Sequence, residues 1–243
     1  MNRLQLCQRT AIECGVASNV AITSILPTVV GAAGSLGRVV NWVDEAWNDI
    51  QTYRDDWDWM RSSNLLGSGV SFVTVAGQAS YPLGTGAGTV GVTAASFGKW
   101  DRTTFRNFTT AVGTSSENYL DEISFDLWRN GYMLGAQRTV QTRPYVVAFG
   151  PDQSVCLGPP PNALYTVTGD YFTAPAVMAV DTDTPTGLPA PFHMLIVYVA
   201  MVKYGGYEAA PDVYQRGATS SAAFYNRLQS LRAPRISFGG PLA

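Results

Sequence analysis

The sequence predicts an α+β protein, a bundle of about four helices drawn from both chain ends with a β-rich insertion between the second and third. Three observations predict it. Leu36, Val39, Val43, Ala46, Ile50, Tyr53, Trp57 and Met60 recur with the spacing 3, 4, 3, 4, 3, 4, 3, one unbroken apolar seam on a helix. From Ser68 to about Thr186 the texture changes to short β-branched and aromatic runs separated by Gly, Pro, Ser and Thr. After Pro185, Pro189 and Pro191 the helical pattern returns. Residues 1–66 and 187–232 are therefore expected to form the bundle, 67–186 the insertion with one helix of its own, and 233–243 an extended tail.

The first helix is expected over residues 4–14, with Leu4, Cys7, Ala11 and Cys14 on one face and Gly15 as its stop. Ser35 is placed to cap the long helix, although no Glu or Gln follows three residues on to complete a capping box. Running to about Arg61, this helix would be roughly 40 Å long at about 1.5 Å per residue. Its eight seam side chains represent on the order of 12 to 24 kcal/mol of gross burial, available only if other helices cover the stripe. Within the insertion, strands are expected over residues 70–75, 145–149, 154–157 and 164–172. Pro159, Pro160, Pro161 and Asn162 would turn the last two into an antiparallel hairpin. A helix is expected over residues 118–129, with Leu120, Ile123, Leu127 and Trp128 inward and Gly131 as its stop. Two helices close the bundle: residues 193–204, nearly all apolar and stopped by Gly205 and Gly206, and residues 212–231, with Tyr214, Ala218, Tyr225, Leu228 and Leu231 roughly in line. Pro234 and Pro241 keep the tail from continuing as helix.

Charged residues make up only 14% of the 243, while aromatics reach 12% and hydrophobics 46%, so much of the surface is expected to be covered by something. The 16 basic residues are 14 Arg and 2 Lys, the bias of interfaces, which favour Arg and aromatics and exclude Lys. That composition reads as an assembly subunit. A net charge of −2 supplies no global basic field for gripping nucleic acid. Asp44, Glu45, Asp49, Asp55, Asp56 and Asp58, set against Arg38, Arg54 and Arg61, read as a solvated outer face. Arg3, Gln5, Gln8 and Arg9 interrupt any secretory pattern, and polar residues break the apolar stretch 16–33 well short of a membrane span, so no membrane partner is expected.

No motif carries chemistry. Gly86-Ala87-Gly88-Thr89-Val90-Gly91 matches a dinucleotide-binding glycine pattern formally, but no amphipathic helix follows and the segment reads as a flexible hairpin loop. Asp181-Thr182-Asp183 begins like a calcium loop, yet Pro185 takes the third ligand position and no Glu closes it. His193 is the only histidine and reads as a capping or packing residue. Cys7, Cys14 and Cys156 have neither disulfide nor metal-site spacing. No Gly-x-Ser-x-Gly elbow offers a nucleophile. No cofactor, metal or catalytic residue is therefore expected. Trp57 lies on the seam and belongs to the core, whereas Trp42 and Trp59 are expected to meet another helix or a neighbouring subunit.

Three blocks, in order, resemble one family. The first is the long helix with Arg38, Ala46, Ile50 and Gln51, closing on Asp56-Trp57-Asp58-Trp59-Met60. The second is Leu157-Gly158-Pro159-Pro160-Pro161-Asn162, leading into Tyr165-Thr166-Val167-Thr168-Gly169-Asp170-Tyr171-Phe172. The third is Leu188-Pro189-Ala190-Pro191-Phe192-His193-Met194-Leu195-Ile196-Val197-Tyr198, then Tyr204-Gly205 and the final helix. Together these blocks resemble the head-to-tail adaptor (connector) proteins of tailed bacteriophages. The resemblance implies a structural virion protein without catalysis, located in the neck between capsid and tail after assembly in the host cytoplasm. It implies a homo-oligomeric ring, usually of twelve, below the portal protein and above the next tail or neck protein, with DNA passing through without sequence-specific binding. On this reading Arg232, Pro234, Arg235, Ile236 and Phe238 are candidates for portal docking, and the loop with Gly84, Gly86, Gly88 and Gly91 for meeting the tail. The other reading is a receptor- or carbohydrate-binding tail module built on the β-rich region, which would require exposed coplanar aromatics in a cleft.

Overall fold

The structure is a computed structural model and describes residues 1–17 and 22–232. It divides into two compact units, a helical one (Met1–Met60, Pro175–Ala243) and a β-rich one (Arg61–Ala174).

The helical unit is built around α5 (His193–Tyr207), which packs against α1 (Arg3–Glu13), α3 (Gly34–Thr52) and α6 (Pro211–Arg232). A helix with neighbours on several sides can be apolar nearly all round. Leu195, Ile196, Val197, Ala200 and Met201 of α5 are accordingly fully buried. Helix α1 opens with a reciprocal capping box, the Gln5 N–H donating to Asn2 Oδ1 (2.9 Å) and the Asn2 N–H to Gln5 Oε1 (3.0 Å). A short helix α2 (Ile22–Ile25) follows. Its successor α3 contributes Val39, Val43, Ala46 and Ile50 to the core, each fully buried. The acidic residues of α3 hold basic residues of other helices: Asp44 takes Arg3 in a two-pronged pair (2.6 and 3.0 Å), and Glu45 and Asp49 share Lys203 (3.3 and 2.9 Å). The face expected to be merely solvated thus carries ties between helices.

The long helix ends earlier than its periodicity predicts. It stops at Thr52, and its N-cap is Ala33 rather than Ser35. After the stop the chain folds back, and the Trp57 indole N–H donates to the Ile50 carbonyl (2.9 Å), which satisfies an acceptor left open at the helix end. Trp57 is fully buried and stacks on Trp59 (4.3 Å between ring centres), so the seam continues as core after the helix has ended. Tyr53 leaves it, 55% exposed and set against Tyr225. Gly205 and Gly206 do not stop α5, which runs on to Tyr207. Gly205 instead lets α6 approach: a Cβ there would lie 2.6 Å from the Tyr214 nitrogen. Gly217 does the same from α6, where a Cβ would lie 2.9 Å from the Tyr198 oxygen.

In the β-rich unit one sheet runs β1 (Arg61–Ser62), β9 (Tyr165–Thr173), β4 (Phe97–Thr109), β5 (Asn118–Tyr119), with β2 (Val70–Val73) also on β9. The second sheet runs β3 (Ser80–Tyr81), β8 (Val155–Gly158), β7 (Val146–Phe149), β6 (Asp121–Glu122), and helix α4 (Phe125–Tyr132) packs on it. Side chains of both sheets, among them Phe72, Trp100, Phe105, Val147, Leu157 and Val167, make one core.

The expected four-helix bundle with a β-rich insertion is therefore overturned. The described residues hold six α-helices and nine strands, a mixed α/β protein whose strands form two sheets around a core of their own. Residues 118–129 are not one helix: β5 and β6 occupy the first part, and α4 starts at Phe125, capped by the Ser124 hydroxyl. The apolar spacing that implied a helix there is shared between Leu120, buried in the sheet core, and Trp128, through which α4 packs on Ala148 and Cys156 of the second sheet. Nor do β8 and β9 form a hairpin. They lie in different sheets, because the three prolines after Gly158 lack the N–H groups that a ladder needs and carry the chain across instead.

Two expectations follow. Replacing Gly205 by Ala forces α5 and α6 apart and should lower the unfolding free energy by about 1–3 kcal/mol; urea denaturation reads this, and an unchanged midpoint would show that the close approach is not needed. His193 is buried, with Nε2 3.1 Å from the Leu188 carbonyl and Nδ1 2.7 Å from the Met1 nitrogen. Burial, foremost, holds its pKa below the ordinary 6.5. A base with a depressed folded-state pKa supports the fold above its unfolded value and loses that support as pH falls through the folded one. Stability should thus decline below about pH 6.5, and His193→Gln should remove that part of the decline while leaving the further loss near the lowered carboxylates Asp152, Asp181 and Asp183.

Candidate assembly surfaces

Leu65 is 89% and Leu66 82% exposed, although leucine is among the residue types most often found inside. They project from a single 3-10 turn, Asn64–Leu66, closed by Gly67 in the left-handed region (φ 76). The turn is fixed from below. The Asn64 N–H donates to Asp170 Oδ1 (2.9 Å), the Gly67 N–H to the Asn64 carbonyl (3.0 Å), the Leu66 and Ser68 N–H groups to the Ser63 carbonyl (3.1 Å each), and the Ser62 hydroxyl to the Ser68 carbonyl. Asp170 is itself nearly buried and receives Arg61 at 3.0 Å, while Arg61 reaches Asp101 at 2.7 Å. At Gly69 a Cβ would lie 2.1 Å from the Asn64 nitrogen, so the exit from the turn admits no side chain.

Two concavities open on the β-rich unit. The smaller, about 190 Å³, lies against the turn itself and is lined by Asn64 and Leu65 together with Arg61, Thr104, Arg106, Glu117, Tyr119 and Asp170. Its charges are already paired, Arg106 with Glu117 (3.2 Å) and with the Tyr119 hydroxyl (2.7 Å). The larger, about 450 Å³, is a groove between residues 71–75 and the loop 85–91, lined by Phe72, Val73, Val75, Ala87 and Leu164 and by the bare backbone of Gly86, Gly88 and Gly91. Val73, Val75 and Leu164 are 46%, 44% and 58% exposed there.

The loop carrying Gly84, Gly86, Gly88 and Gly91 is pinned rather than slack. The Gly84 N–H donates to the Val92 carbonyl (2.7 Å), the Thr89 hydroxyl to the Gly86 carbonyl (2.6 Å), and the Gln78 amide to the Gly88 carbonyl (2.8 Å). Of the residues expected to dock a portal, Arg232 ends α6 and faces Asp58 at 3.4 Å. Pro234, Arg235, Ile236 and Phe238 lie outside the described residues. Of the expected bundle core, Val39, Val43, Ala46, Ile50, Trp57 and Met60 are buried, Leu36 is half-buried and Tyr53 exposed. Trp42 meets Tyr204 edge-on (5.7 Å) and Tyr207 (5.6 Å) within the helical unit. The Leu65-Leu66 turn escaped the sequence reading. Its only local signal is a pair of leucines between Asn64 and Gly67, because the aspartate that braces it stands 106 residues away.

Cys7, Cys14 and Cys156 are free and buried, and burial pushes the Cys7 and Cys14 thiols up to about 12, the opposite of what a nucleophile needs. Among the described residues no group of three His, Cys, Asp or Glu is placed to hold a metal ion, and no helix is long and apolar enough to cross a membrane.

A family model described as SU10 adaptor protein matches residues 1–243. None of the curated proteins compared with the chain matches it. The match extends across all three sequence blocks and the segments between them. The chain belongs to the SU10 adaptor protein family, in keeping with the phage head-to-tail adaptors that its three blocks resemble.

Proposed function

We propose that this protein is the head-to-tail adaptor of a tailed phage virion, a non-catalytic structural subunit that assembles as a ring of twelve below the portal protein and joins it to the next tail or neck protein. The match of the adaptor family along the whole chain carries this reading. In it, the helical unit acts as the rigid body, the β-rich unit of Arg61–Ala174 as the part that meets neighbours, and residues 233–243 as a docking tail. The protein works in the neck of the virion after assembly in the host cytoplasm.

The physical tasks of such a ring match what the chain offers. It must hold neighbours through large interfaces, which suits a chain with 14 Arg, 2 Lys and 12% aromatics. It must let DNA slide, and a net charge of −2 with internally paired acids and bases supplies no phosphate-gripping field. The tail with Pro234, Arg235, Ile236 and Phe238, following Arg232, docks into the portal. The loop with Gly84, Gly86, Gly88 and Gly91 meets the tail side.

Native mass measurement or electron microscopy of the purified protein, with and without portal, tests the reading; twelve-membered rings seated on portal are expected, and a monomer under both conditions would overturn it. Two deletions test the ends of the subunit separately. Truncation after Arg232 should abolish portal binding, and deletion of residues 84–91 should abolish tail joining. Full portal binding without the tail, or unimpaired joining without the loop, would remove that segment from the mechanism.

A further inference from the structure

The smaller concavity holds polar groups that the fold has not spent. Thr168 stands on the central strand β9, opposite Ser71 of β2 and Arg106 of β4. Its neighbour Val167 points into the sheet core, so by the period of two Thr168 points to the opposite face, where it lines the concavity. The residue is only 7% exposed, yet its hydroxyl has no hydrogen-bond partner among the described residues. Buried hydroxyls are nearly always partnered, and one left open at the floor of a hollow calls for an occupant. The rim repeats the pattern. The Asn64 N–H is fixed on Asp170, but the Asn64 side-chain amide is unused. Arg61 donates to Asp170 through one terminal nitrogen, and Arg106 spends both of its own on Glu117 and the Tyr119 hydroxyl. That leaves Nε of each arginine, and Oε1 of Glu117, without a hydrogen bond among the described residues.

Size and charge restrict what fits. About 190 Å³ is far more than the roughly 10–15 Å³ that one water needs, and close to the ~150 Å³ of a cavity that takes a benzene-sized ring. An anion would meet Asp101, Asp170 and Glu117 against only two guanidinium groups, and a cation would find those carboxylates already engaged. The walls give a plain hydrocarbon little beyond Leu65 and the ring of Tyr119, over which Arg106 lies at 4.4 Å. What remains is an uncharged ring bearing several hydroxyls. Each hydroxyl both donates and accepts, so adjacent ones can take the open donors of Arg61, Asn64 and Arg106, give to Glu117 and exchange with Thr168.

We propose that the hollow between the Asn64–Leu66 turn and strands β4, β5 and β9 binds a single sugar ring, an uncharged pyranose. Thr168 and Asn64 hold its hydroxyls at the floor and at one wall, the Arg106 and Glu117 pair takes adjacent hydroxyls at the other, and Tyr119, 64% exposed, supplies apolar contact at the rim. The site is formed before the ligand arrives, because β9 is paired on both sides at Thr168 and the turn is fixed on Asp170. This binding is additional to the adaptor role and does not depend on the ring.

Saturation-transfer NMR on the full chain tests this, with glucose, galactose and mannose as probes, each as the free sugar and as its methyl glycoside. Transfer to the ring protons of at least one probe is expected, and it should persist at about 1 M sodium chloride, where charge attraction is screened beyond about 3 Å. Binding of a methyl glycoside assigns the site to the end residue of a glycan, and binding of free sugars alone assigns it to a small solute. Thr168→Val removes only the hydroxyl, and Tyr119→Ala alters only an exposed ring. Each should stay folded by circular dichroism and bind about tenfold more weakly; if Thr168→Val does not fold, Tyr119→Ala decides alone. Cyclohexanol, a ring of the same size with one hydroxyl, should not displace the sugar. Transfer to none of the probes, undiminished transfer in either folded variant, or displacement by cyclohexanol or inorganic phosphate would overturn the proposal.

Discussion

The helical unit depends on one constraint, that α5 has few positions it can expose. Leu195, Ile196, Val197, Ala200 and Met201 leave it no polar face over its first two turns and beyond, so α1, α3 and α6 must surround it. The rest of that unit follows. Gly205 and Gly217 sit where α5 and α6 come closest, since any side chain there would strike backbone. Arg3, Lys203 and Arg38 reach across to Asp44, the Glu45 and Asp49 pair, and Glu208. Exposed pairs of this kind are individually worth at most about 1 kcal/mol. Their larger effect is to fix the order in which helices surround α5, because each basic residue meets acids only in this arrangement.

In the β-rich unit the equivalent element is Asp170. It stands on the central strand β9, nearly buried, and bonds outward to Arg61 and to the Asn64 N–H. A buried carboxylate is tolerated only when its lone pairs are used. Here they position the turn that carries Leu65 and Leu66, so the cost of burying the charge is tied to the presentation of two apolar side chains. The sheet core, filled by Trp100, Phe105, Phe149 and Tyr171 in mutual ring contact, makes this platform stiff.

The helical elements were the legible ones. Val39, Val43, Ala46 and Ile50 announced α3 because a helix writes its buried face at fixed short spacing, and the apolar run from His193 announced α5. The end of α3 was not legible: Trp57 and Met60 keep the helical spacing but are buried by a fold-back that the Trp57 indole secures on Ile50. Strand β4, the longest, was missed altogether. Its register against β9 shifts between Asp101 and Arg106, so the period of two that betrays a strand is broken midway by extra residues. The sheet assignment of β8 and β9 was misread for another reason. Proline-rich turns report that the chain changes direction, and not whether the next strand returns to the same sheet. Of the assembly surfaces, the glycine loop was visible as composition, whereas the groove beside it and the braced leucines arise only from pairings far apart in sequence.

Rigidity links these observations to the proposed role. A ring that transmits the junction between head and tail needs subunits that do not yield at the contact, and flexible loops would lose affinity to ordering. Two surface pieces of this chain are over-determined: the Asn64–Leu66 turn, which carries the exposed Leu65 and Leu66, holds its N–H groups on Ser63, Asn64 and Asp170, and the loop of Gly84 to Gly91 is cross-braced by Thr89 and Gln78. The excess of Arg over Lys points the same way, since the planar Arg fork loses less freedom per hydrogen bond formed than the flexible ammonium stem of Lys. Where charge does occur, it is largely spent inside the subunit, on Asp44, Asp49, Asp101 and Asp170. In the proposed ring, contacts between copies would then rest on shape and apolar area. Such contacts are insensitive to salt, which suits an interface that must persist while a polyanion moves past it.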